Sequence, residues 1–138
     1  MNHHVPLDGP TLPGELAKEG YQTHLVGKLH LSPPRKLYGF NSSDWSDSPR
    51  PDSVLDDYER FLISQGVTQP RAGLAHGASV NGYPARPFHL EERFHFSTWC
   101  ADRALNFLER RDPTMPFFLK VSFHQPRSEE HTSELQSQ

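Results

Sequence analysis

Residues 11–31 read TLPGELAKEGYQTHLVGKLHL, and three kinds of local structure follow one another inside that stretch. Thr11 is of the type that caps a helix and Pro13 suits a first turn. Glu15, Leu16, Ala17, Lys18 and Glu19 are helix formers, and Gly20 stands where a left-handed residue closes a helix. Residues 21–26, YQTHLV, then alternate as a buried or half-buried strand does and stop at Gly27. Helix, strand and loop in that order predict one unit of an α/β sheet. Ligands in open sheets of this kind gather outside the carboxyl ends of the strands. The loop Gly27-Lys28-Leu29-His30-Leu31 is therefore where chemistry is expected: an ammonium and an imidazole two residues apart can both face an anion. Seen alone, such a string is more often a solvated loop, because most Lys and His are surface residues.

Working outward, Pro33, Pro34, Pro49 and Pro51, with Gly39, Asn41 and the serines between them, predict no long regular structure from about 32 to 52. Ser53 precedes Asp56 and Asp57, and Val54, Tyr58, Phe61, Leu62 and Gln65 recur at helical spacing up to Gly66, which predicts a capped amphipathic helix. Adjacent carboxylates on a helix point about 100° apart, so Asp56 and Asp57 read as helix capping and not as a catalytic pair. Residues 67–93 show no sustained period and read as a long surface excursion. From Phe94 or Phe96 onward, Trp99, Cys100, Arg103, Ala104, Phe107, Leu108 and Arg111 fall three and four apart, a long helix closed by Asp112-Pro113. Residues 116–123, PFFLKVSF, are apolar at nearly every position, as in a strand covered on both faces. The fold class is α/β, with a sheet of which this chain holds only part.

Composition narrows the classes further. A chain of 138 residues is one domain at most, and a hydrophobic fraction of 34% with 13 Pro and 9 Gly makes for a thin core. One Ile and six Val allow few complete strands. The net charge of -3, from 14 basic and 17 acidic residues spread along the chain, provides no basic face, so nucleic acid is not an expected partner. No apolar run approaches the roughly 18 residues of a membrane span, and the start MNHHVP lacks the parts of a signal peptide. No membrane association is expected, and the compartment stays undetermined. Cys100 is the single cysteine, sits on the apolar stripe of its helix, and reads as a small buried residue. Nine His are present, but only His3 and His4 are adjacent and the others lack tight ligand spacing, so they read as surface or core residues and no metal ligand is assigned. Phe88, Phe94, Phe96 and Trp99 read as core in preference to an aromatic pocket.

Residues 11–31, followed by Tyr38-Gly39-Phe40, resemble the sulfatase family, in which a helix, a Gly-Tyr-x-Thr strand, a GKWHL loop and a later Gly-Phe occur in that order. A second block agrees: Ser97-Thr98-Trp99, Asp102-Arg103-Ala104, Phe107-Leu108, then Met115 to Leu119 and Ser122-Phe123-His124-Gln125-Pro126, similar to the family's helix and PFFL strand. The resemblance implies a partial alkaline-phosphatase-like mixed sheet flanked by helices, and a hydrolase of sulfuric esters. It further implies a formylglycine nucleophile, made from Cys by the formylglycine-generating enzyme, beside a divalent cation, usually calcium. On it, Lys28 would contact the sulfate and the formylglycine oxygen, and His30 would hydrogen-bond the formylglycine hydroxyl and help expel sulfate. Asn2 is a further candidate for a polar residue near that site. The substrate the resemblance implies would be a small-molecule or glycan sulfate ester.

The chain departs from the family in several places. It has no C-x-P-x-R motif, the cation ligands are expected to lie outside it, and Leu29 replaces the usual Trp of the loop. Arg127 stands where the family commonly has a sulfate-contacting His. Residues 127–138, RSEEHTSELQSQ, resemble a translated sequencing adapter and read as a non-native tail, leaving 1–126 as an internal fragment of an N-terminal catalytic domain. By itself such a chain is expected to be inactive and weakly folded. A phosphonate or phosphate ester hydrolase of the same superfamily, and a small His-rich metal-binding or interaction protein, are the alternative readings.

Overall fold

The structure, a computed structural model, describes residues 9–47, 54–71 and 87–124. The elements are α1 (Leu12–Lys18), β1 (Gln22–Gly27), β2 (Ser42–Trp45), α2 (Asp57–Ser64), a 3-10 turn (Glu92–Phe94), α3 (Phe96–Arg110) and β3 (Phe117–Ser122). The three strands form one parallel sheet in the order β2-β1-β3. This is the α/β architecture expected, a partial alkaline-phosphatase-like sheet flanked by helices. No antiparallel strand is present among the described residues.

The first unit forms as its sequence dictates. Thr11 caps α1, accepting from the Gly14 N–H at 3.2 Å, and Gly20 takes φ 87° just beyond the C-cap. β1 then runs through the middle of the sheet and is the most buried element, with Thr23, His24, Leu25 and Val26 all inside. Alternation assigns its two faces. Val26 packs with Tyr58, Leu62, Phe94, Phe96, Trp99 and Cys100 under α2 and α3, while Leu25 packs with Phe40 and Trp45 on the other side. The aromatic residues 94, 96 and 99 are core, as expected, with Phe88 packed against them.

His24 is a polar residue in the buried strand, and the fold satisfies both ring nitrogens. Nδ1 lies 2.8 Å from Ser42 Oγ and Nε2 3.0 Å from Asp44 Oδ2, while the ring stacks on Phe107 with centroids 4.7 Å apart. Asn41 begins the pairing of β1 with β2: its Oδ1 accepts from Thr23 N at 2.8 Å and from Thr23 Oγ1 at 3.0 Å. These side chains explain how SSDW, with a single apolar residue, becomes a strand within the stretch where no long element was expected.

The N-terminus of α2 bears out the reading of Asp56 as helix capping: its carboxylate accepts from Glu59 N at 2.7 Å and the Glu59 side chain accepts from Asp56 N at 2.9 Å, a complete capping box, while Ser53 lies outside the described residues. β3 differs from the sequence reading in being only partly covered: Leu119 and Val121 pack on one face and Phe118 on the other, yet its residues are half-buried and Phe117 is 41% exposed. The cause is position, because β3 lies at the edge of the sheet and no further strand flanks it among the described residues.

Candidate active site

Because the strands are parallel, their carboxyl ends share one edge, and the residues leaving each strand meet there. Lys28 and His30 leave β1, Ser46 and Asp47 leave β2, and Phe123 and His124 leave β3. Two backbone bonds extend the sheet into these exits: Lys28 N–H donates to Ser122 O at 3.0 Å, and Ser46 N–H donates to Gly27 O at 3.1 Å. Gly27 is the pivot between them. It adopts φ 87°, and a Cβ there would sit 2.1 Å from Ser122 O and 3.2 Å from the Cys100 sulfur. Only glycine allows β3 to approach this closely while the loop turns away.

Beyond the pivot, Lys28 is half-buried and His30 is exposed, with its backbone at φ 56°. His30 Nδ1 lies 3.3 Å from Asp47 Oδ1; the two side chains are 64% and 17% exposed. Asp47 is held from behind. Its N–H donates to Asp56 Oδ2 at 3.3 Å, and the hydroxyl of buried Ser46 donates to the same oxygen at 2.7 Å. The N-cap of α2 thus fixes the turn that carries Asp47. Burial, and secondly the neighbouring Glu59 charge, pushes the Asp56 carboxyl up to about 6, against the hydrogen bonds from Glu59 N–H, Ser46 and Asp47, which favour the ionised form.

His124 closes the group from β3, its ring edge-on to Phe96 with centroids 4.4 Å apart. Burial, then the Lys28 ammonium, and more weakly His30, hold its imidazole down at about 4, while Asp47 acts in the opposite sense. At neutral pH His124 is therefore an uncharged imidazole beside a cation. Lys28 and His30 share the loop leaving β1, His30 meets Asp47 at the end of β2, and His124 leaves the end of β3 at the same edge; the sequence reading did not assign Asp47 or His124 to the site. His124 had a usable signal, following directly on the expected strand 116–123. Asp47 had none, because β2 has no apolar pattern to mark where it ends.

Asn2, Gln125, Pro126, Arg127 and the tail 127–138 lie outside the described residues. Cys100 is buried in α3, and burial with the nearby Asp44 charge pushes its thiol up to about 12, so it does not serve as a nucleophile. Among the described residues no three His, Cys, Asp or Glu side chains gather as a metal site, so they do not fit the implied cation. No described helix is long and apolar enough to cross a membrane.

No family profile matches the chain. It is 33% identical over 131 residues to an arylsulfatase of Clostridium perfringens, and 29% identical over 126 residues to mouse arylsulfatase J; each match covers 86% of the chain. The chain spans only 27% of the length of the first relative and 19% of the second. Both matches are to arylsulfatases and take in most of the chain, which is therefore similar to one stretch of a sulfatase.

Proposed function

We propose that this chain supplies the sulfate-contacting lysine and a proton-handling histidine of a sulfuric ester hydrolase. The observation that carries the reading is the convergence of Lys28, His30, Asp47 and His124 at the carboxyl edge of a sheet in an arylsulfatase-like sequence. As the S–O bond of a sulfate monoester breaks, its electron pair goes to the departing ester oxygen, which develops negative charge. The Lys28 ammonium, already in place beside neutral His124, stabilises that charge without reorganisation. His30 exchanges a proton with the reacting oxygen or the departing group. Residues 1–126 belong, on this reading, to the catalytic domain, and 127–138 do not.

The formylglycine nucleophile, the calcium ion and the formylglycine-generating enzyme follow from the family resemblance and concern residues other than those described. The substrate is a sulfate ester, and the isolated chain is expected to show no turnover. The reading is tested by titrating inorganic sulfate into the chain while following the backbone amide signal of Lys28 and the ring signals of His30 and His124 by NMR. Saturable shifts at these three positions, abolished by Lys28→Ala, support it; shifts scattered over other lysines, or unchanged by Lys28→Ala, contradict it.

A further inference from the structure

We propose that Asp47 is the positioning residue of His30, accepting the Nδ1 proton and leaving Nε2 as the nitrogen that exchanges protons at the site. The inference rests on the functional reading above and assigns a role to a residue that reading leaves without one. A largely exposed imidazole is free to rotate and to hold its proton on either nitrogen. His30 is such a residue, yet its Nδ1 lies 3.3 Å from a carboxylate whose own exposure is only 17%. A carboxylate accepts and cannot donate, so Nδ1 carries the proton in this contact whether the ring is neutral or charged.

The carboxylate can impose this choice because the fold holds it. Ser46 N–H is bonded to Gly27 O, the last residue of the strand that carries His30. Ser46 Oγ and Asp47 N–H both converge on Asp56 Oδ2, and Asp56 is locked in its capping box with Glu59. His30 and Asp47 are thus tethered to each other through the backbone pairing of their strands and, independently, through the start of α2. Second residues of this kind set the tautomer and direction of a working histidine. A purely structural role would have Asp47 shape the turn without any effect on which ring nitrogen bears the proton.

The two roles are separated by two-bond ¹H–¹⁵N spectra of the full 138-residue chain at about pH 8, above the ordinary imidazole range. His30 is assigned by loss of its signal in His30→Gln. The native chain is expected to show the Nδ1–H form of His30. Asp47→Ala should lower the ratio of Nδ1–H to Nε2–H by about tenfold, the effect of removing one charge-assisted hydrogen bond. Asp47→Asn, whose amide oxygen still accepts, should retain the Nδ1–H form. His24, with both nitrogens bonded, reports whether each variant is folded. Should Asp47→Ala disturb His24, the native tautomer and its retention in Asp47→Asn decide. A native His30 in the Nε2–H form, or a tautomer unchanged in folded Asp47→Ala, overturns the proposal. Correct tautomers without any sulfate response would instead sink the functional reading and leave the positioning role standing.

Discussion

Replacing Gly27 by alanine tests the pivot on which the site is built, and Gly20 supplies the matched control. Both glycines have φ 87°, so alanine incurs the same backbone strain at each, about 1 kcal/mol. They differ in surroundings. A Cβ at Gly20 meets nothing within 4 Å, whereas one at Gly27 would lie 2.1 Å from Ser122 O and 3.2 Å from the Cys100 sulfur. Relieving the first contact requires β1 and β3 to separate by more than 1 Å, which strains or breaks the 3.0 Å bond from Lys28 N–H to Ser122 O. Overpacking of that order costs about 1–3 kcal/mol and the lost bond about 1 kcal/mol. Gly27→Ala should therefore destabilise by about 3–5 kcal/mol and Gly20→Ala by about 1 kcal/mol. Thermal unfolding followed by far-ultraviolet circular dichroism, with a stabilising osmolyte in all samples, would show Tm falling by roughly 10–20 °C and roughly 4 °C respectively. Equal losses in the two variants would refute the argument that the close approach of β3 requires a glycine at this position.

Two titrations should act on stability in opposite directions. Asp56 is raised from 3.8 to about 6, so the folded state binds the extra proton and stability falls as pH rises from about 4 to about 6, by up to roughly 2–3 kcal/mol. His124 is lowered from 6.5 to about 4, so the unfolded state binds the extra proton and stability rises as pH climbs from about 4 to 6.5. Urea titrations across this range should show a steeper rise in Asp56→Asn and a steeper fall in His124→Gln; the same pH slope in both variants would contradict the assignment. Cys100, buried with its thiol pushed up to about 12, should resist a disulfide reagent at neutral pH until the chain is unfolded, and rapid labelling of the folded chain would be inconsistent with the packing of α3. Tyr58→Phe removes the buried hydroxyl that donates to Phe94 O and should cost about 1–2 kcal/mol, whereas a neutral result would place that hydroxyl in solvent.

Much of this fold is legible in the sequence where local signals and packing agree. The Thr11 cap, the Gly20 stop and the buried run to Gly27 locate α1 and β1 nearly to the residue, and the aromatic stripe of α3 reads directly as core. β2 is illegible for a physical reason. Its pairing is driven by side chains of Asn41, Thr23 and His24 that meet only once β1 is in place, so SSDW carries no periodic apolar signal of its own. The run PFFLKVSF shows the reverse problem, since an apolar sequence records the surroundings a strand is suited to and not those present in this chain. The site divides in the same way: Lys28 and His30 share one loop and are visible together, while Asp47 and His124 arrive from the ends of two other strands and become neighbours only through parallel pairing.

The central claim, that Lys28 and His30 are working groups of a sulfatase site, is tested most directly by exchanging the matching segment of the Clostridium perfringens arylsulfatase for residues 9–124 of this chain and measuring kcat/KM for an aryl sulfate and for the corresponding aryl phosphate. The account predicts that the chimera hydrolyses the sulfate in preference to the phosphate and that Lys28→Ala lowers the sulfate rate by about 10²–10³. A chimera as active after Lys28→Ala as before it, or one that prefers the phosphate ester, would contradict it.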